Sequence, residues 1–217
     1  MHLQNPYWHF DYIFSEEECD KIIEKGTSIL NRQSEDQNVG KVYADSLNRQ
    51  VNKSARDCNI AWLDDRWIYE KIQEIVEVAN QGAGWNWDVS VCERLQFTEY
   101  KVGGHYSWHA DGGSDHLSAY QGSKRISDYA GKVRKISITI NLSDLEDHDG
   151  GELMFSDPTY ISDTFGELGE TEPYTPKEFC GKGSAIVFPS FTMHKVSPVT
   201  RGTRYSLVTW VLGEPWK

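Results

Sequence analysis

Two amphipathic stretches near the N-terminus predict helices. Ser15 and Glu18 form a capping-box pattern, and the apolar residues that follow recur at helical spacing, which predicts a helix from about Glu16 to Leu30. A second apolar run with intervals of three and four, followed by Gly82, predicts a helix from about Asp65 to Asn80. Each helix has one apolar face and is therefore expected to pack against another layer of the protein.

After Trp85 the pattern changes to alternating and β-branched residues, which predicts strands. The predicted strands run from Val91 to Tyr100, Lys135 to Leu142, Glu152 to Phe155, Ser184 to Phe188, His194 to Val199 and Tyr205 to Val211. Short strands without intervening helices predict a mainly β (α+β) fold with a double-stranded β-helix, or jelly-roll, core and the N-terminal helices packed outside it. We interpret residues 1–217 as one domain, with a helical buttress over about 1–85 and a jelly-roll core over about 86–213.

Two longer stretches show no regular period. Residues Gly112 to Val133 are polar and rich in Gly, Ser and Asp, which predicts a loop and a candidate lid. A second irregular stretch covers Asp157 to Phe179.

Composition narrows the environment and the partners. The formal net charge is −11 and there is no run of Lys and Arg, so nucleic acid is a disfavoured partner. Residues Met1 to Asp20 contain no apolar stretch of the length of a signal peptide or membrane span, which predicts a cytoplasmic protein without membrane attachment. The cysteines are widely spaced and form no CxxC pair, so free thiols are expected rather than a zinc site or disulfides. They are Cys19, Cys58, Cys92 and Cys180.

The sequence His109-Ala110-Asp111 is a candidate metal-binding motif. On an extended strand, residues two apart point to one face, so this imidazole and this carboxylate can chelate one ion. The pattern is weak alone, and a second copy begins at His9. The copy at His109 follows a glycine pair at the end of a long predicted strand, and His194, which begins a late strand, is a candidate third ligand. His9 precedes the first helix, where a surface role is the simpler interpretation.

Two histidines and one carboxylate on one face of iron(II) leave three adjacent coordination positions open. This arrangement suits a bidentate co-substrate together with dioxygen. A closed four-ligand zinc site would lack that opening.

The segment after His194 supplies a candidate anion-binding residue. Its sequence predicts a hairpin with a turn near Pro198 to Gly202, which would place Arg204 opposite His194. The planar guanidinium of Arg204 could then bind a carboxylate held by the metal, and Ser206 would share its face.

The ordered combination of these motifs resembles a known family. The His109-Ala110-Asp111 motif is followed by Gly-Gly-Glu-Leu-Met-Phe, by Phe-Pro before His194, and by Arg-Gly-Thr-Arg-Tyr-Ser and Trp210. This order, over about Val91 to Trp210, is similar to the 2-oxoglutarate, iron(II) prolyl 4-hydroxylase-like family. The segment Phe14 to Cys19, which leads into the first predicted helix, is also similar to the start of that family's domain.

The resemblance implies the remaining site residues and the cofactors. It implies that Tyr100 contacts 2-oxoglutarate and that Thr139, Asn141 and Leu153 line its pocket. It also implies iron(II), 2-oxoglutarate and dioxygen as reactants, with release of succinate and carbon dioxide, and ascorbate as a candidate reductant. The distal basic residue is lysine in many prolyl 4-hydroxylases and arginine elsewhere in the wider family, so Arg204 does not identify the substrate.

Three functional hypotheses follow. The first is hydroxylation of a peptidyl residue, proline first, with a peptide or protein as the substrate. The second is oxidative demethylation of nucleic acid, against which the missing basic patch argues. The third is a non-catalytic jelly-roll binding module, against which the intact set of His109, Asp111, His194 and Arg204 argues.

Overall fold

The computed structural model describes residues 3–43, 49–112, 127–156, 173–176 and 181–216. Most of the candidate lid, residues 113–126, lies outside the described residues. The same holds for most of the irregular stretch from Asp157 to Phe179 and for Cys180.

The first predicted helix is confirmed at both ends. The Ser15 hydroxyl accepts a hydrogen bond from the Glu18 N–H at 3.2 Å, and the Glu18 carboxylate accepts one from the Ser15 N–H at 2.9 Å, so the capping box is complete. The second predicted helix begins one residue later than expected and includes Gly82. The helices are α1 (Glu16–Leu30), α2 (Glu35–Asn38) and α3 (Arg66–Gly82), with a 3-10 turn at Ser127–Tyr129. None of these helices combines the length and hydropathy needed to cross a membrane.

Most of the strands are short, with two to six residues. They are β1 (Trp8–Phe10), β2 (Val42–Tyr43), β3 (Arg49–Gln50), β4 (Arg56–Asp57), β5 (Asn59–Leu63), β6 (Val91–Cys92), β7 (Leu95–Tyr100), β8 (His105–His109), β9 (Val133–Asn141), β10 (His148–Gly150), β11 (Leu153–Phe155), β12 (Ala185–Pro189), β13 (His194–Val196), β14 (Val199–Gly202) and β15 (Arg204–Gly213).

Two antiparallel sheets form the jelly-roll core. The major sheet has the order β1-β12-β9-β15-β7-β5, and β6 pairs with one end of β15. The minor sheet has the order β11-β13-β8-β4. Residues of both sheets line one cavity between them, so the sheets face each other. The predicted mainly β fold with a jelly-roll core is therefore confirmed.

The N-terminal part of the chain contributes more than the predicted helices. β1 and β5 form the two edges of the major sheet, and β4 forms an edge of the minor sheet. The hydrophobic pattern predicted only a helical buttress over this region, because strands of two to five residues are too short to produce a recognisable alternation. His9, from the second histidine–aspartate motif, lies in β1 and is exposed.

The main hydrophobic core lies outside the jelly roll, between the helices and the outer face of the major sheet. Ile22 from α1 and Ile72 from α3 pack there with Phe97 and Ile138 from the sheet. Side chains of successive residues on a strand point to opposite faces, so alternate residues of β7 face the helices and the cavity. Gln96 and Tyr100 of β7 accordingly lie in the cavity wall.

A close contact between α1 and β7 gives a stability prediction. A Cβ atom at Gly26 would lie 2.4 Å from the ring of Phe97, which is fully buried. Gly26→Ala should therefore lower the free energy of unfolding by about 1–3 kcal/mol, although alanine is the better helix former, because the packed core must shift. Urea denaturation measures the change, and exposed Glu24→Ala on the same helix should stay within about 0.5 kcal/mol. An equal or higher stability of Gly26→Ala would contradict this packing.

The predicted hairpin after His194 is wrong. β13 pairs with β11 and β8, whereas β15 pairs with β6, β7 and β9, and the described strands show no pairing between β13 and β15. Between them β14 pairs with β10, and the chain crosses from one sheet to the other near Gly202, which has φ +72°. A Pro–Gly turn signal is compatible with a hairpin and with such a crossing. His194 and Arg204 consequently lie in different sheets and line the same cavity from its two sides.

Candidate active site

Two adjacent strands of the minor sheet bring the predicted metal ligands together. His109 ends β8, His194 begins β13, and the two residues are direct register partners. Asp111 lies two residues after His109, and its N–H donates to the Ser190 carbonyl at 2.9 Å. The Nε2 atoms of His109 and His194 lie 3.7 and 3.6 Å from the two Asp111 carboxylate oxygens. Candidate donor atoms of the three residues all lie within 4.8 Å of one another, a spacing at which one ion can contact all three.

Backbone carbonyls fix the orientation of both imidazoles. Nδ1 of His109 lies 2.8 Å from the Ser107 carbonyl, and Nδ1 of His194 lies 2.9 Å from the Thr192 carbonyl. A carbonyl only accepts, so Nδ1 carries the proton and the Nε2 lone pair is left for a metal. Burial, together with nearby His194, lowers the pKa of His109 to about 3, so this ring is neutral at physiological pH.

Asp111 is held by polar side chains from the major sheet. Burial acts to raise its pKa, but His194, His109, the Arg134 guanidinium and a hydrogen bond from Ser137 together bring that pKa below its ordinary value. The Ser137 hydroxyl donates to Asp111 Oδ2 at 2.6 Å and lies 3.0 Å from the Ser190 hydroxyl. Arg134 Nη1 donates to the Asp111 carbonyl at 3.0 Å, and the same guanidinium pairs with Glu93. These contacts hold Asp111 ionised and oriented.

The hydrogen bond from Ser137 should contribute to metal affinity. Ser137→Ala removes the only side-chain hydroxyl that donates to Asp111 among the described residues, and loss of such outer contacts typically weakens metal binding 10- to 100-fold. We expect the metal Kd to rise by about tenfold, measured by anaerobic titration with iron(II) or cobalt(II). Ser107→Ala is the matched control, because its carbonyl still binds His109 and its hydroxyl contacts Ser54 instead. Equal affinity of Ser137→Ala and the wild type would contradict a supporting role.

Arg204 is a buried cation that forms no ion pair with a carboxylate of the described residues. It begins β15, is 3 % exposed, and pairs in register with Tyr100, whose ring centroid lies 5.5 Å from the guanidinium. Burial lowers its pKa, but a guanidinium stays protonated in proteins. Neither an ion pair nor a hydrogen bond joins it to another described residue. A charge buried in this way is costly until an anion binds it, so the cavity fits a carboxylate here.

The cavity between the sheets has a volume of about 230 Å³ and collects most of the predicted site residues. His109, Asp111 and His194 line it on one side and Arg204 on the other, with Tyr100, Thr139, Leu153 and Ser206 also in its wall. Asn141 is the exception among the predicted residues. It is not part of the cavity wall, because its side-chain amide donates to the Ser143 and Gly181 carbonyls and anchors those loops.

Sequence reasoning missed other lining residues, among them Arg56, Tyr106 and Arg134. Tyr106 stacks on His109 with ring centroids 3.5 Å apart. In a regular strand these residues, three apart, would point to opposite faces. The register of β8 with β13 shifts between the pairs His109–His194 and Tyr106–Val196, and this irregularity brings both rings to one face. The sequence contains no signal for that shift.

The donor set matches the requirements of iron(II). Two neutral imidazoles and one carboxylate form the facial set that leaves adjacent positions open for a co-substrate and dioxygen. Arg204, across the same cavity, supplies a binding partner for the second carboxylate of a dicarboxylic oxo acid. The residues present therefore fit both iron(II) and 2-oxoglutarate.

Known structures share this fold. A viral collagen prolyl hydroxylase from Paramecium bursaria Chlorella virus-1, solved as a 2OG complex, superposes with a TM-score of 0.61 at 19 % identity and covers 96 % of this chain and 97 % of its own. A prolyl hydroxylase from Trichoplax adhaerens, solved with a peptide of hypoxia inducible factor, gives a TM-score of 0.65 at 14 % identity, over 96 % of this chain and 84 % of that one. At such identities the likeness establishes the fold.

Sequence comparison establishes the family. PKHD-type hydroxylases of Herminiimonas arsenicoxydans and Stenotrophomonas maltophilia are 35 % and 36 % identical over 115 and 116 residues, which are 53 % and 54 % of this chain. The matched stretch is 41 % of the length of each of these relatives. The model of the 2OG-Fe(II) oxygenase superfamily matches residues 95–212, which include every candidate metal ligand and Arg204. The chain therefore belongs to the 2OG-Fe(II) oxygenase superfamily, as its resemblance to the prolyl 4-hydroxylase-like family predicted.

Proposed function

We propose that this protein is a 2-oxoglutarate- and iron(II)-dependent dioxygenase that hydroxylates a peptidyl residue, with proline as the first candidate. The observation that carries the proposal is that the cluster of His109, Asp111 and His194 shares one cavity with the buried Arg204, which forms no ion pair with the described part of the chain. The names of its relatives, PKHD-type hydroxylases and prolyl hydroxylases, support a hydroxylation reaction. The peptide bound to the Trichoplax enzyme supports a polypeptide substrate.

The roles of the site residues follow from their positions. The iron would be held by Nε2 of His109, by Nε2 of His194 and by a carboxylate oxygen of Asp111. When bound, iron(II) with dioxygen and 2-oxoglutarate inserts one oxygen atom into a substrate C–H bond, while the second oxygen atom enters succinate and carbon dioxide leaves. Arg204 would bind the distal carboxylate of the oxo acid, with Tyr100 and Ser206 beside it.

The proposal also covers the pocket wall, the reductant and the location of the protein. Thr139 and Leu153 are proposed to line the co-substrate pocket, and ascorbate is proposed as the reductant that keeps the iron divalent. A cytoplasmic location is supported by Cys19, Cys58 and Cys92, which are free thiols. We also retain residues 1–217 as one catalytic domain. The demethylase and binding-module alternatives are not favoured by the family match or by the names of the relatives.

Anaerobic spectroscopy tests the proposal. Protein with iron(II) and 2-oxoglutarate should show the weak visible charge-transfer band of the chelated oxo acid, and admission of oxygen should yield succinate. A proline-containing peptide should raise succinate formation and gain one oxygen atom, whereas the same peptide with alanine for proline should not. Folded protein that shows neither band nor succinate would refute the oxygenase assignment.

A further inference from the structure

A second buried arginine lines the cavity without an acidic partner among the described residues. Arg56, in β4 at the edge of the minor sheet, is 7 % exposed and makes no ion pair with a described carboxylate. Its Nε donates to the Cys58 sulfur at 3.1 Å. Burial raises the pKa of the Cys58 thiol, so this contact is to a neutral group and leaves the charge of Arg56 uncompensated.

The guanidinium of Arg56 is fixed in place beside the candidate metal centre. It lies 4.6 Å from the ring centroid of Tyr106, whose other neighbour in the stack is His109 at 3.5 Å. Gly40 also packs closely against Arg56, because a Cβ atom there would lie 2.7 Å from Arg56 Nε and 2.6 Å from the Cys58 sulfur. With Nε committed to the thiol, the two terminal nitrogens form no hydrogen bond to a described residue and remain available as donors in the cavity wall.

The other buried charged groups of the cavity wall each have a partner or a role in the oxygenase centre, whereas Arg56 has neither. Arg134 is paired with Glu93, Asp111 belongs to the metal cluster, and Arg204 is matched by one carboxylate of the co-substrate. Arg56 remains, and Lys41 adds a further positive charge to the same wall. In a protein with a net charge of −11, this local excess of positive charge selects an anion.

Arg56 and Arg204 lie on different sheets of the cavity wall. Arg204 is on the major sheet next to Ser206, whereas Arg56 is in β4 at an edge of the minor sheet. Gln37 and Lys41 are exposed and line the cavity where it meets solvent. Their segment is joined to that of Arg56 by a hydrogen bond that the Gly40 N–H donates to the Cys58 carbonyl at 2.8 Å. A polypeptide that enters the cavity would therefore meet Arg56 on its way to the metal centre.

We propose that Arg56 binds a carboxylate of the substrate, so that the enzyme prefers peptides with an acidic group close to the hydroxylated residue. This inference rests on the proposed function and specifies its substrate class. Two sources offer the same chemistry: the side chain of a neighbouring Asp or Glu, and the free C-terminal carboxylate of a peptide. A planar guanidinium binds either one through two parallel hydrogen bonds.

Equilibrium binding with matched peptides tests the proposal. Protein loaded anaerobically with iron(II) and 2-oxoglutarate is titrated into fluorescently labelled proline peptides, and anisotropy gives the Kd. One pair of peptides has Asp or Asn next to proline, and a second pair, without acidic side chains, has a C-terminal acid or a C-terminal amide. In at least one pair, the acidic peptide should bind at least about thirtyfold more tightly than its neutral counterpart.

Variants assign that preference to Arg56. Arg56→Gln should bind the acidic and amide peptides equally, while Arg56→Lys should keep part of the preference and thereby show that charge matters. Arg201→Gln is the control, because Arg201 is exposed and paired with Asp149. It should retain the full preference.

The charge-transfer band separates this inference from the proposed function. If the wild type shows the band but binds the acidic and amide peptides equally, or binds neither pair, the inference fails and the oxygenase assignment stands. Loss of the band in Arg56→Gln would show that Arg56 binds the co-substrate, and this result would also overturn the inference. Absence of the band in the wild type would remove both proposals.

Discussion

Asp111→Ala is expected to abolish iron(II)-dependent turnover, because it removes the only anionic ligand of the candidate metal centre. Imidazoles bind a metal in their neutral form, so a site left with His109 and His194 alone would have to hold a divalent cation without any compensating charge. Loss of one member of a buried charged pair costs about 3–5 kcal/mol, which corresponds to an increase in the metal Kd of at least about a hundredfold. Anaerobic titration calorimetry with iron(II) measures the affinity, and succinate formation measures the turnover.

Two controls separate metal binding from folding. Asp149→Ala removes an exposed carboxylate that pairs with Arg201, and it should leave metal affinity and succinate formation unchanged. The circular dichroism spectrum of Asp111→Ala should match that of the wild type, because the hydrophobic core lies on the other face of the major sheet. If Asp111→Ala bound iron(II) with the wild-type Kd, the cluster would not be the metal site.

Arg204→Gln is expected to change ligand affinity and protein stability in opposite directions. The variant removes the cation proposed to bind the distal carboxylate of 2-oxoglutarate, and loss of one partner of a buried charge pair costs about 2–5 kcal/mol. The Kd for 2-oxoglutarate should therefore rise between about thirtyfold and a few thousandfold. In the ligand-free protein, however, the same substitution removes a buried charge that has no counter-ion among the described residues. The free energy of unfolding should then increase, by on the order of 1 kcal/mol.

Titration of the charge-transfer band and urea denaturation of the ligand-free protein measure these two effects. Arg201→Gln, in which an exposed guanidinium is replaced, should alter neither quantity by a comparable amount. A less stable Arg204→Gln protein with unchanged affinity for 2-oxoglutarate would show that Arg204 is a structural residue.

Local signals in the sequence predicted local structure correctly. The capping box at Ser15 and Glu18 is complete within four residues, so it defined the start of α1 without any knowledge of the rest of the fold. The order of the histidines, the aspartate and Arg204 along the chain was likewise sufficient to identify the residues that the structure brings to one cavity. Their roles as ligands and anion-binding residue stay predictions for the experiments above.

Features that depend on pairing over long distances were not predictable. The turn near Gly202 gave no information on which sheet the next strand joins, and this is why the predicted hairpin was wrong although His194 and Arg204 do meet at the cavity. Arg56 lies in a strand of only two residues, and its side chain is covered by Gly40 and by the ring of Tyr106, which are distant in the sequence. Strand alternation predicts that Asn141 faces the cavity, but its amide donates to two loop carbonyls instead.

The position of the core on the outer face of the major sheet has a consequence for how this protein can evolve. Along β7, Leu95 and Phe97 pack against the helices, while Gln96 and Tyr100 face the cavity. Mutations at alternate positions of one strand therefore act on different traits, fold maintenance at one position and ligand choice at the next. A lineage can acquire a new substrate by exchanging cavity residues while the packing that keeps the chain folded is inherited unaltered.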